Sequence, residues 1–351
     1  MSTTVTEPTA NANLRPPASS VDLSRPIPRP QTSTWELFKS VLDHGGPGYL
    51  QFAITNICNA DCDFCGFARS KFDPKARKSV TLQEARDVVD IAKRNHIGYL
   101  LFVGGEPMAH RDLRPMVRYA AERGIHPMIC TNGGLWTDEN MKALASDGLS
   151  SVIMSIDAHD VGKHEQNRGL PDVCRKIKKA NEFFHGAGIQ TTASITASRL
   201  IEDYDKLPAF LESLGFTSCT FSYPLTNLAS SYLSFSDSGL VNYNTQELIE
   251  LFDKIKQMKH RSGYPVVNPT ESLNEMQRHL RGQRLAAQGC DAVQHQVDAG
   301  RDAGAAVERR IEHEHAVGHH VAVRLQLGQF LQVVVVGGGA AAGQDARMRG
   351  Q

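Results

Sequence analysis

Cys58-Asn59-Ala60-Asp61-Cys62-Asp63-Phe64-Cys65 is the stretch on which the reading of this chain turns. Its cysteines are separated by three and then two residues, and they directly follow residues 49–55, a short apolar run rich in strand formers. Three thiolates so spaced can hold three corners of an iron–sulfur cube and leave one iron without a protein ligand. An open metal position is where a substrate or cofactor can bind and react, whereas a structural site is closed. Zinc is the competing metal. Structural zinc sites usually pair C-x2-C with a second pair further on, and none follows nearby. His44 and His110 do not stand at ligand-like spacings from the triplet.

Outward from the triplet, strand-like and helix-like patterns alternate. Thr81-x-x-Glu84 reads as a capping box that opens a helix reaching about Asn95. A strand is expected at 99–103, a helix at 111–123, a strand at 126–130, a helix at 137–146 and a strand at 151–156. A helix with a Lys/Arg-rich outer face over 170–187 leads to a strand at 191–196. A helix at 202–213 leads to a strand at 217–223. Regular alternation of this kind implies parallel strands with right-handed crossovers, hence an α/β fold: a full or partial (β/α) barrel or an open doubly wound sheet. Beyond it come an amphipathic helix at 245–262 and a polar stretch at 268–281, expected to cover one side or the mouth of the barrel.

With this order in place, the triplet resembles the C-x3-C-x-aromatic-C motif of the radical S-adenosylmethionine (SAM) superfamily, with Phe64 as the aromatic. Further segments over about residues 49–223 fall where that family would have them. Gly104-Gly105-Glu106-Pro107 follows the second strand and resembles the motif whose backbone and Glu hold the methionyl amino group. Thr131-Asn132-Gly133 follows the third strand, and Ser155-Ile156-Asp157 ends the fourth, where the family presents polar groups to ribose or carboxylate. His164-Glu165-Gln166-Asn167-Arg168-Gly169 resembles the stretch that brings an Arg toward the SAM carboxylate.

The resemblance implies a partial (β/α)6 TIM-like barrel carrying one [4Fe–4S] cluster on Cys58, Cys62 and Cys65. It implies reductive cleavage of SAM to a 5′-deoxyadenosyl radical and a flavodoxin or ferredoxin-type electron donor. The branch it is most similar to contains molybdenum-cofactor synthesis, peptide-modifying and hopanoid-synthesis enzymes, so the substrate is a small molecule, lipid or peptide. The residue types also allow plainer roles. Gly104 and Gly105 suit a tight turn, Glu106 a first-turn anion, and Ser155 and Asp157 loop caps. Cys130 and Cys219, at or near the ends of the third and sixth strands, are candidate thiol hydrogen donors, and Tyr223 is a candidate pocket residue. Cys174 reads as structural.

The remaining segments differ in composition. Residues 1–33 hold six of the 16 prolines and are expected to be a disordered arm. The barrel with its flanking helices is assigned to 34–263 and a covering segment to 264–284. From Leu285 to Gln351 there is no Lys, Ser, Thr, Asn, Pro, Tyr or Trp, and Ala, Gly and Val make up about half of the residues. An evolved domain needs turn formers and surface lysines. The expected cause is a frameshift in G+C-rich coding DNA between about Gly282 and Gly289. The histidines at 313, 315, 319 and 320 are discounted with this tail. An altered C-terminus leaves open a chain that binds the cluster without cleaving SAM, and the metal alternative leaves open a zinc-binding module.

Composition sets the outer limits. Thirty-eight basic and 38 acidic side chains cancel, so no overall field draws the chain to nucleic acid or a membrane surface. The longest apolar run, 330–336, is interrupted by Gln332 and falls far short of the ~20 residues that span a bilayer. No secretory signal pattern opens the chain. Seven cysteines, three of them crowded into one loop, do not form an exported disulfide framework, so a reducing cytoplasm is expected.

Overall fold

The computed structural model describes residues 22–44, 47–223 and 238–282 and, as backbone, two strands at Val321–Gln326 and Gln332–Gly337. Six parallel strands pair in chain order: β1 (Tyr49–Thr55), β2 (Tyr99–Gly104), β3 (His126–Thr131), β4 (Ser151–Ile156), β5 (Gln190–Thr196) and β6 (Cys219–Ser222). The sheet does not close on itself, so the architecture is the partial barrel. Two strands that the sequence analysis did not anticipate extend the free edge of β1. There, β8 (Gln332–Gly337) runs parallel to β1 and β7 (Val321–Gln326) antiparallel to β8. Their segments, VAVRLQ and QVVVVG, are rich in β-branched valine, a strand preference that the tail's composition had obscured.

Strand alternation sorts the side chains. Leu50, Phe52 and Ile54 of β1, Leu100 and Phe102 of β2, and Ile129 of β3 face the helices and belong to the main core. Register places Phe52 beside Phe102, with ring centroids 6.3 Å apart. The opposite, concave face carries the residues in between, among them Gln51, Cys130, Ser155, Ser194 and Thr220, which are half-buried. Between Ala53 and Thr55 the β1–β2 register slips, so Thr55 pairs with Gly104. Such an irregularity turns the chain out of the sheet, here where the cysteine loop begins.

Helices α2 (Leu82–Arg94), α3 (Leu113–Glu122), α4 (Asp138–Ser146), α6 (Val173–Gly186) and α7 (Leu207–Ser213) fill the crossovers, and α8 (Thr245–Ser262) follows the last of them. The Thr81–Glu84 capping box forms as expected. Helix α6 begins later than the sequence suggested because Pro171 precedes it and Asp172 adopts φ +62°. The first part of the 202–213 helix is a 3₁₀ turn, Tyr204–Lys206. Three helices escaped the sequence reading: α1 (Thr34–His44), α5 (Val161–Arg168) and α9 (Thr270–Leu280).

Residues 22–33 depart from the expected disordered arm. The Ile27 N–H donates to the Ser146 carbonyl at 2.9 Å. Arg29 donates to the Ala187 carbonyl at 3.1 Å and also to that of Gly188, and Arg118 donates to the carbonyl of Arg25. Pro26, Pro28 and Pro30 hold the segment extended, so little backbone freedom is lost when it lies down across the ends of α4 and α6. Asp147, fully buried after α4, binds Arg114 at 2.8 Å and Arg118 at 3.3 Å beside it. Residues 1–21 lie outside the described residues, as do Cys290 and the tail histidines.

Candidate active site

The C-terminal ends of β1 to β4 converge on the cysteine loop. The Gly105 N–H donates to the Thr55 carbonyl at 2.7 Å and the Glu106 N–H to the Ile57 carbonyl at 2.8 Å, so the chain after β2 lies directly against the entry to the triplet. A Cβ on Gly104 would stand 2.2 Å from the Thr55 oxygen, and one on Gly105 2.4 Å from the Ile57 oxygen. Glycine is required by this backbone contact, and at Gly104 also by φ +152°.

Glu106 is fully buried and its carboxylate is claimed by protein donors. It accepts from Thr131 Oγ1 at 2.7 Å, from the Asn132 N–H at 2.7 Å and from the Met108 N–H at 2.9 Å. Burial pushes its carboxyl upward and these bonds oppose the shift. It therefore fastens β2 to β3, rather than presenting a free carboxylate as the motif suggested. Pro107, also buried, starts the 3₁₀ turn that Glu106 caps.

From the end of β3, Asn132 reaches back to the triplet. Its Nδ2 lies 2.7 Å from Asn59 Oδ1 and 3.8 Å from Cys58 Sγ, and its Oδ1 accepts from the Gly134 N–H at 2.8 Å. The loop adds its own N–H···S contacts, Ala60 to Cys58 and Phe67 to Cys65, each at 3.4 Å. Cys62 and Phe64 are buried with Ala60 and Val241, and Cys58, Cys65, Leu170 and Leu200 pack on them, in an apolar cluster separate from the main core. Phe64 thus packs into the wall of this pocket.

The fourth strand end supplies charge. Asp157 is fully buried; its Oδ1 accepts from Arg168 at 2.6 Å and its Oδ2 from Asn167 Nδ2 at 2.8 Å. Arg168 and Asp157, given separate tasks by the sequence, are paired with one another. The Arg168 Nε is buried without a partner. The Arg168 backbone carbonyl accepts from the Asp61 N–H at 2.8 Å, which ties the end of α5 to the cysteine loop. Ser155 Oγ contacts the Thr131 carbonyl at 3.4 Å on the concave face.

Burial pushes the Cys58 thiol up to about 11 and the Cys62 thiol to about 12, and raises Cys65 too; the Arg168 charge opposes this at all three. Buried thiols in this environment become thiolates readily only with added positive charge, which a bound metal centre supplies. Among the described residues, no three His, Cys, Asp or Glu side chains are drawn around a single metal-ion position. An iron–sulfur cube takes each thiolate on a different iron, so it does not need the three sulfurs gathered around one ion. The donor set, the N–H···S contacts and the orphaned Arg168 Nε fit a cluster with an anionic ligand beside it. His110 does not join: its Nε2 faces the Val80 carbonyl at 2.9 Å and its Nδ1 accepts from the Asp112 N–H at 3.0 Å.

Of the candidate hydrogen donors, only Cys130 lies on the concave face, half-buried, with its thiol pushed up to about 11 by burial. Cys219 is fully buried in the main core, and Tyr223 packs edge-on against Phe252 at 4.8 Å. Both stand on the helix-facing side of β6 and its extension, because residues 219, 221 and 223 share one parity. Cys174 is buried in the core, as its structural reading expected. His164, Asn59 and Ser198 were not singled out in the sequence. Ser198 Oγ lies 3.3 Å from the Asp157 carbonyl. Its only sequence signal is its place just past a barrel strand's C-terminal end.

The radical SAM superfamily model matches residues 52–210. Those residues are a radical SAM domain. The AdoMet-dependent heme synthase of Oleidesulfovibrio alaskensis is 29% identical over 171 residues, which cover 48% of this chain and 42% of the relative. The mycofactocin maturase MftC of Mycolicibacterium smegmatis is 28% identical over 194 residues, 55% of this chain and 47% of the relative. The chain therefore spans less than half the length of these two relatives. Streptococcus suis SuiB bound to S-adenosylmethionine has the same fold, with a TM-score of 0.50 and 18% identity over 66% of this chain and 53% of SuiB.

Proposed function

We propose that this chain is a radical SAM enzyme that holds a [4Fe–4S] cluster on Cys58, Cys62 and Cys65, with SAM beside it, and acts on an organic substrate. The observation that carries this reading is the docking of the Gly104-Gly105 backbone and the Asn132 side chain onto one cysteine loop. When bound, cluster and SAM supply one-electron cleavage of a C–S bond and a 5′-deoxyadenosyl radical able to take hydrogen from an unactivated carbon.

This chain's own residues place and protect that chemistry. Asn132 and the loop amides orient sulfur lone pairs. Glu106 fixes the backbone of Asn132, and so is a positioning residue. Arg168, with Nε open and Asp157 balancing its charge, is suited to the carboxylate of SAM. Phe64 and Val241 keep water from the buried side of the loop. Ser155, Ser194 and Thr220 line the concave face with hydroxyls where a small-molecule, lipid or peptide substrate would lie, and Cys130 is the thiol placed to meet it. A flavodoxin or ferredoxin-type protein supplies electrons. Free thiols and an open cluster suit a reducing cytoplasm, and no helix among the described residues is long and apolar enough to cross a membrane.

A second reading, a chain that binds the cluster without cleaving SAM, is favoured by the composition of residues 285–351. Anaerobic reconstitution separates the two. About four irons per chain, with 5′-deoxyadenosine released from SAM and dithionite and lost in Cys62→Ala, is the expected result. Iron without deoxyadenosine supports the second reading, and a colourless protein with one zinc per chain overturns both.

A further inference from the structure

Residues 69–78, directly after the third cysteine, carry Arg69, Lys71, Lys75, Arg77 and Lys78 against a single carboxylate, Asp73, in a chain whose net charge is zero. All of these residues but Phe72 are exposed. Two of the cations bind the segment to the cysteine loop: Arg69 lies 3.9 Å from Asp61 and Lys71 4.0 Å from Asp63. Lys75, Arg77 and Lys78 form no salt bridge among the described residues.

The ridge is also held still. The Arg69 N–H donates to the Ala60 carbonyl at 2.9 Å. At the other end the Lys78 N–H donates to Asn56 Oδ1 at 2.7 Å, and Asn56 Nδ2 to the Ala76 carbonyl at 2.9 Å. Both ends are thus fastened within two residues of Cys58, and unneutralised positive charge stands beside the triplet on a fixed platform. The other basic run, on α6, is largely occupied: Lys176 by the Gly134 carbonyl at 2.7 Å, Lys179 by Asp138 at 2.6 Å, Arg175 by Asp172 at 3.3 Å.

We propose that residues 69–78 are the docking face for an acidic one-electron carrier protein. This rests on the function proposed above, because a buried metal centre at Cys58, Cys62 and Cys65 must be recharged from outside, one electron at a time. In each encounter the reduced carrier loses one electron and the oxidised cluster gains it; no atom is transferred. Such encounters are brief and small in area, so steering by opposite charge governs their rate. A fixed cationic ridge next to the thiols brings the carrier's redox group to the side where transfer is shortest.

The test uses the full chain, anaerobically reconstituted, with K75E/R77E/K78E and the neutral K75Q/R77Q/K78Q. Deoxyadenosine release is followed in two arms, one driven by dithionite and one by reduced flavodoxin, and flavodoxin binding is titrated directly at low salt. The dithionite rate is expected to stay within about twofold of the parent. The flavodoxin concentration for half-maximal rate is expected to rise roughly tenfold on charge reversal and less on neutralisation. Added salt should weaken flavodoxin dependence in the parent and not in the reversed variant.

A reversed variant that uses flavodoxin as well as the parent overturns the proposal. So does an equal loss in both arms, which would make the ridge part of the site's own structure. If the parent releases no deoxyadenosine in either arm, the enzymatic reading has failed, and the titration then decides docking alone. Tenfold weaker binding on reversal supports it; unchanged binding, or binding of single-stranded RNA in place of flavodoxin, overturns it.

Discussion

His164 is uncharged at neutral pH although it lies next to a carboxylate. Its Nδ1 accepts from the Asp157 N–H at 3.2 Å, its Nε2 is buried without a partner, and burial pushes it down to about 4. The unfolded imidazole titrates near 6.5, so as pH falls from about 6.5 to about 4 the unfolded chain takes up a proton that the folded chain refuses. Stability is therefore lost as pH falls through that window, by a total on the order of 3 kcal/mol from this group. Urea unfolding between pH 7 and pH 4.5 should show the decline, and His164→Asn should flatten it; equal slopes would assign the pH dependence elsewhere. At this scale the cysteine triplet was legible because its chemistry is written in its spacing. The Arg168–Asp157 pair was not, because nothing in a linear pattern says that a carboxylate just past β4 and an arginine at the far end of the next helix will satisfy each other.

Among the elements, the six parallel strands and the helices packed on them were read, and three helices at the periphery were missed. Helix α5, VGKHEQNR, buries only His164 and Arg168, a pair four residues apart with no hydrophobic stripe to reveal it. In α1 no residue is buried, and Trp35, Phe38 and Leu42 are exposed. The two-residue period of β6 decided the fate of Cys219 and Tyr223, and it was available in the sequence; what was lacking was which parity faced the helices. One element depends on a buried ion pair. Asp147 closes α4, neutralises Arg118, and through Arg118 anchors residues 22–33. Asp147→Ala leaves the buried Arg118 with only the half-exposed Glu122, 3.9 Å away, to balance its charge, at a cost of about 3 kcal/mol. A fall in Tm, with easier proteolysis at residues 22–33, is the expected outcome; an unchanged Tm would mean that Arg118 finds another acceptor.

For the whole molecule, strand order followed from strand–helix alternation, because crossover chirality leaves few arrangements. The β7–β8 extension did not, since the composition of residues 285–351 gave no reason to expect pairing with β1. The frameshift reading and the strand pairing make opposite forecasts for a chain ending at Gly282. If the tail is out of frame, the shortened chain keeps its Tm and its iron content, which is the expected result of calorimetry and iron analysis. A lowered Tm would show that β8 supports the β1 edge.

Within β1 to β6 the strands pair in chain order, each with its neighbours in sequence, and this has a consequence for synthesis. A sheet built this way can grow by addition at one edge as the polypeptide leaves the ribosome. The cysteine loop emerges near the beginning, and the last described pieces of its wall, Ser238 beside Asp63 and Val241 against Phe64, are made some forty residues before the composition changes. A frameshift in the coding DNA near residue 285 would leave every described piece of that pocket in frame and made first, so the change would fall beyond the place where the metal would be held.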